Sequence, residues 1–125
     1  TTYDSFLAAA DGTSPIGGGY VWDAAYLSNL TGGNGGLYFD GPNAVEAYGA
    51  PVPIYTPGTW TPGSSLSHVD PADAPAGTVY LMDPSDGYGP GVRALTPVEA
   101  GILTDLGYTI HVLFFVGFGV LRRRR

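Results

Sequence analysis

The apolar positions of this chain fall into short runs separated by glycine- and proline-rich stretches, a pattern that predicts brief elements on a loop-rich frame. The clearest run lies near the end. Val98, Ile102 and Leu106 recur every four residues, the spacing of one helix face. Thr96 stands where an N-cap belongs, Pro97 suits the first turn, and Glu99 completes a Thr-x-x-Glu capping box. Gly107 offers the left-handed residue that ends a helix, with Tyr108 expected to fold back as its apolar partner. The spacing predicts a helix from Pro97 to Leu106.

Leu37 to Phe39 reads as a short strand, after which Pro42 opens a helix ending near Gly49. Val52 to Tyr55 is expected to be an edge strand, and Thr78 to Met82 a short strand running into an Asp83-Pro84 turn. Tyr3 to Ala9 fits a short strand or the end of a helix, stopped by Asp11-Gly12. Asp23 to Leu30 predicts one or two helical turns capped by Asp23, with Tyr26, Leu27 and Leu30 on one side. Prolines recur every few positions from residue 50 to 75, which leaves Trp60 and His68 on ordered loop. The fold class expected is α+β, loop-rich, with few short strands and a helix near the C-terminus.

A length of 125 residues suits one domain. It divides into a body, 1–110, and a tail, 111–125. Twenty glycines and eleven prolines bring the composition to the border of disorder, but nine tyrosines, five phenylalanines and two tryptophans favour a packed body. The net charge of −6 understates the acidity of that body, because four of the five basic residues are Arg122 to Arg125. Arg93 alone faces eleven acidic groups elsewhere, and there is no lysine. Such a surface repels phosphate backbones, so no nucleic-acid partner is expected. It suits an extracytoplasmic protein. The absence of cysteine excludes disulfides, thiolate metal sites and cysteine nucleophiles.

The candidate chemistry is a histidine followed fourteen residues later by the sole methionine: His68 in Ser67-His68-Val69-Asp70, and Met82 in Tyr80-Leu81-Met82-Asp83-Pro84. Imidazole is the commonest protein ligand of zinc, and a thioether in a tight turn can form an apolar floor under a metal. Asp70 is a candidate to orient the ring by accepting a hydrogen bond from it; as a solvated loop residue beside Pro71 it needs no such role. Taken alone, a histidine is more often a hydrogen-bonded structural residue.

The order of these segments, closed by Asp105-Leu106-Gly107-Tyr108, resembles the C-terminal half of the metzincin zinc peptidases, in particular the leishmanolysin-like branch of bacterial secreted type. Leu37-Tyr38-Phe39-Asp40-Gly41-Pro42-Asn43-Ala44-Val45 looks like the Gly-Pro-x-Ala segment of secreted members, and the likeness runs roughly from 37 to 108. The resemblance implies a metzincin C-terminal subdomain, zinc as cofactor, His68 as the third zinc ligand and Met82 as the methionine of the Met-turn. A protein or peptide substrate is implied with it.

The chain departs from that family in one large respect. It contains no HExxH, and its only other histidine is His111. Catalytic zinc needs three protein ligands and an open position for water, and the glutamate that would act as general base is missing too. The chain, which opens on Thr1, is therefore read as the downstream part of a longer product whose N-terminal half supplies the HExxH helix. Alone it is expected to be inactive, with weak zinc binding at most. Pro84 also stands where some metzincins have a tyrosine ligand, and Val69 where an aromatic residue is usual.

Other motifs fail. The glycines of 32–36 lack the aspartate of a calcium-binding repeat, Asp83 to Gly91 lacks EF-hand spacing, and no G-x-S-x-G is present. Asn29-Leu30-Thr31 satisfies the glycosylation sequon. In the tail, Val112 to Leu121 is an apolar run closed by four arginines. As a helix it would span about 15 Å, half of the ~30 Å hydrocarbon core. It resembles the sorting tails of bacterial surface proteins without their Pro-Glu-Pro signature, so residues 112–125 are expected to make a membrane or sorting contact, to form a buried strand, or to be non-native sequence.

Two functions follow. One is the C-terminal portion of a secreted or cell-surface zinc metalloendopeptidase. The other is a non-catalytic extracellular binding module that keeps a metzincin-like shell, its exposed tyrosines and tryptophans contacting glycans or proteins.

Overall fold

Leu37, Tyr38 and Phe39 form the middle strand, β2, of a three-stranded antiparallel sheet in a computed structural model that describes residues 1–85, 91 and 94–110. The sequence expectations for 111–125 lie outside the described residues. β1, Leu7–Ala8, and β3, Val52–Ile54, flank β2, with Leu7 opposite Phe39 and Phe39 opposite Val52. The alternation is that of a sheet with one packed face: Leu37, Phe39, Val52 and Ile54 are buried, and Tyr38 and Pro53 between them are half-buried. Mixed helix and antiparallel sheet make the class α+β.

β3 was expected at an edge, and its outer side receives the segment that carries His68. Tyr55 N–H donates to the His68 carbonyl at 2.9 Å, Asp70 N–H donates to the Pro53 carbonyl at 2.9 Å, and Ile54 pairs with Val69. Proline at position 53 accepts the bond from Asp70 without having to donate one.

Two helices pack beside the sheet. α1, Pro42–Tyr48, starts on its proline and ends at Gly49, whose φ of 90° is costly for any other residue. α2, Pro97–Asp105, has the full capping box: Thr96 Oγ1 accepts from Glu99 N–H while Glu99 Oε2 accepts from Thr96 N–H. Phe39, Val52, Ile54, Val69, Tyr80, Val98 and Ile102 meet in one core with Ala44. The helices touch almost backbone to backbone. A Cβ on Gly101 would lie 2.7 Å from the Asn43 carbonyl oxygen and 2.8 Å from Ala44 Cα.

Three local expectations are corrected. Thr78 to Met82 is not a strand, because the free edge of β3 is already taken by His68–Asp70; residues 81 and 82 turn instead. The helical turns after Asp23 form as expected, with Asp23 Oδ1 accepting from Ala25 N–H at 2.9 Å, but as a 3-10 segment, Ala24–Thr31. Three residues per turn shift the faces, so Asn29 is buried and Leu27 is exposed. Gly107 and the Tyr108 N–H bond to Leu103 O close α2 as predicted, yet the Tyr108 ring is 63% exposed and does not fold back. Tyr3 to Ala9 combines two elements, a 3-10 turn over Asp4–Phe6 followed by β1.

Tyr3 joins the start of the chain to the loop before His68: its hydroxyl donates to the Leu66 carbonyl at 2.8 Å, and its ring lies 5.6 Å from that of Phe39. Burial first, and the Asp4 carboxylate second, push the phenol above its ordinary value. A phenol whose ionisation is raised on folding contributes stability that is complete below the unfolded value of about 10 and is lost as pH rises through the folded value. Tyr3→Phe should cost about 1 kcal/mol at pH 7, the net worth of one hydrogen bond. It should also flatten the decline of stability above pH ~10. Urea unfolding at pH 7 and above pH ~10 measures both, and parallel decline of the two proteins would contradict the assignment.

Candidate functional site

His68 sits where the loop from residue 61 rejoins the sheet. Its Nδ1 lies 3.0 Å from the Ser64 carbonyl oxygen. A carbonyl can only accept, so this nitrogen carries the proton in the neutral ring and Nε2 keeps its lone pair. The ring is half-buried. An imidazole held through Nδ1 by a backbone carbonyl is oriented in the way that a metal-binding Nε2 requires.

The loop that carries it is held in an unusual conformation. Leu66 has φ 65°, the left-handed region that bulky residues rarely enter. Two bonds hold it there: Leu66 N–H donates to Tyr55 O at 3.0 Å, and Leu66 O accepts from the Tyr3 hydroxyl. Backbone held in this region fixes the direction in which Ser67 and His68 leave the turn.

Met82 is brought beside this segment. Val69 N–H donates to the Met82 carbonyl at 3.0 Å, so the residue after the histidine is bonded to the methionine itself. The other side of the same residue is tied to α2, where Glu99 Oε1 accepts from Met82 N–H at 2.6 Å. Met82 packs at the margin of the core and, with Tyr3, Leu7, Leu66, Ile102 and Leu106, lines an apolar cleft of about 400 Å3.

Asp70 lies two residues beyond His68, but its Oδ1 accepts from Ala72 N–H at 2.9 Å and caps the turn Pro71–Asp73. The acceptor on the His68 ring is the Ser64 carbonyl. Of the sequence-predicted residues, then, His68 and Met82 share one hydrogen-bonded unit, with Asp70 on its flank. Glu99 enters the site unpredicted: the capping box was legible, whereas its second oxygen reaching Met82 was not. Ser64 and Leu66 gave no sequence signal at all.

Among the described residues, no group of three or more His, Asp or Glu side chains converges as a metal ion would need. A complete metal centre does not exist within them. The Asn29 sequon is also closed as it stands, because the side chain is buried and its Nδ2 donates to Gly36 O at 2.8 Å. Among the described residues no helix is long and apolar enough to cross a membrane. Compared with known proteins, the chain matches no family model, no curated sequence and no solved structure.

Proposed function

We propose that these residues form the C-terminal portion of a secreted or surface zinc-dependent metalloendopeptidase, with His68 giving one metal ligand and Met82 the turn beside it. One observation carries the reading: His68 is anchored through Nδ1, leaving Nε2 as donor, on a segment hydrogen-bonded directly to Met82. In that role the Ser64 carbonyl fixes the tautomer, Leu66 and Tyr3 aim the loop, and Met82 supplies apolar surroundings. Zinc, when bound, supplies Lewis-acid chemistry that lowers the barrier to attack on a peptide carbonyl. The remaining ligands and the general base are assigned to an HExxH helix outside this sequence, and the chain by itself is inactive on this reading.

The test has two arms. In this chain, titration with Zn2+ followed by imidazole NMR should perturb His68 Nε2 with Nδ1 still protonated. A perturbation confined to Nδ1 would remove His68 from the site. In the full-length protein, His68→Ala should lower zinc affinity by about 100-fold, or 2.7 kcal/mol, and abolish cleavage with it. Normal zinc content with full activity would refute the ligand assignment.

A second reading, a non-catalytic extracellular binding module, draws support from Tyr20, 83% exposed and held at φ 60°, and from Trp60, 45% exposed. Exposed aromatic rings suit glycan or protein contacts. Loss of binding to immobilised glycans on Tyr20→Ala, together with silence in the zinc titration, would favour it.

A further inference from the structure

Glu99 does more than a helix cap requires. A capping-box glutamate needs one oxygen for the N-cap N–H, and here Oε2 takes both Thr96 N–H at 2.8 Å and the Thr96 hydroxyl at 2.9 Å. Oε1 is left for a residue seventeen positions earlier, the Met82 N–H at 2.6 Å. The side chain is wholly buried, and among the described residues no cation pairs with it. A buried carboxylate is costly unless hydrogen bonds compensate it, and these three donors are the compensation. An apolar side chain would fill the same space but leave the Thr96 and Met82 N–H groups without acceptors. Beyond the cap, what the carboxylate adds is a partner for the Met82 peptide.

The Met82 peptide is also bonded on its other side. Its carbonyl accepts from Val69 N–H, and the His68 carbonyl in turn accepts from Tyr55 N–H beside β3. A continuous line of hydrogen bonds therefore runs from the first turn of α2, through Met82, to the histidine segment and the sheet. Rotating or releasing the Glu99 carboxylate frees one end of this line.

We propose that Glu99 is a positioning residue: it sets the Met82 turn against the His68 segment and thereby fixes where the imidazole stands. The functional meaning rests on the metal-ligand reading of His68, but the coupling is a property of the metal-free chain and is tested there.

Two variants separate the roles of the carboxylate. Thr96→Ala removes the cap hydroxyl and leaves the Glu99–Met82 bond; Glu99→Gln keeps the shape but places an amide where both oxygens accepted. Both should lower the melting temperature. Only Glu99→Gln should shift the Met82 methyl and His68 imidazole resonances and speed Met82 amide exchange, by about tenfold. Unchanged resonances in Glu99→Gln, or equal shifts in Thr96→Ala, would overturn the proposal. Should Glu99→Gln not fold, amide exchange in the unaltered protein decides: Met82 N–H should exchange as slowly as the interior amides of α2, and exchange at loop rates would overturn it. Normal zinc content and full activity of His68→Ala in the full-length protein, alongside the expected Glu99→Gln shifts, would sink the metal reading and leave the positioning role standing.

Discussion

Replacing Gly101 by alanine is expected to cost about 3 kcal/mol, at the upper end of what overpacking a core costs. The usual effect of this substitution in a helix is the opposite, a gain of up to ~1 kcal/mol from lower backbone entropy in the unfolded chain. Geometry decides between them. The new Cβ would meet the Asn43 carbonyl oxygen at 2.7 Å and Ala44 N and Cα at 2.8 Å. All three are backbone atoms of α1, so no side chain can rotate away, and the helices must separate. Separation opens the seam above Ala44 and Ile102, both wholly buried, and the loss of packing adds to the clash. For a domain of this size the expected fall in melting temperature is roughly 12 °C. Thermal unfolding followed by circular dichroism measures it. A rise in melting temperature would mean that the helices do not approach as described.

The consequence reaches the candidate site, because the first turn of α2 holds Met82 through Glu99. Overpacking at Gly101 displaces the same helix two residues further on. His68 and Met82 resonances should therefore broaden or shift in Gly101→Ala.

Local features of this fold were legible in the sequence and long-range ones were not. The four-residue period of Val98, Ile102 and Leu106, the capping box and the glycine at 107 located α2, because each signal lies within a turn of the structure it specifies. Pro42 and Gly49 bracketed α1 for the same reason. Thr78 to Met82 misled, since a β-like composition says nothing about whether a sheet edge is free, and the segment from His68 to Asp70 had taken it. Leu27 misled because a face drawn at 3.6 residues per turn fails where the chain winds at three. In the site, His68 and Met82 stood out by residue type and order. Their supports did not: Ser64 acts through a carbonyl that every residue carries, and Leu66 through a backbone angle that leucine rarely adopts. Glu99 was legible as a cap but not as a partner of Met82, because the second bond depends on how two distant segments meet.

Asp105→Ala should cost about 3 kcal/mol as well, by a different mechanism. In sequence Asp105 belongs to the end of α2, yet its carboxylate works at the start of α1. Oδ1 accepts from Asn43 N–H at 3.0 Å and from Asn43 Nδ2 at 2.7 Å, and Oδ2 accepts from Ala44 N–H at 2.9 Å. The residue before α1 is Gly41, which has no side chain to cap with, and a Cβ there would collide with the Asp105 carboxylate. The carboxylate thus replaces the missing cap from outside the helix, where the N-terminal dipole favours a negative charge. Removing it leaves two first-turn N–H groups without their acceptor. Asp105→Asn keeps one carbonyl acceptor and sets an NH2 against a donor, so about half of the loss is expected. Equilibrium urea unfolding of both variants checks the order, and a loss below about 1 kcal/mol for alanine would show that water replaces the cap. Because the clash at Gly101 and the cap at Asp105 act on one helix–helix seam, the double variant should lose less than the two single losses combined. Strict additivity would mean that the two ends of the seam hold independently.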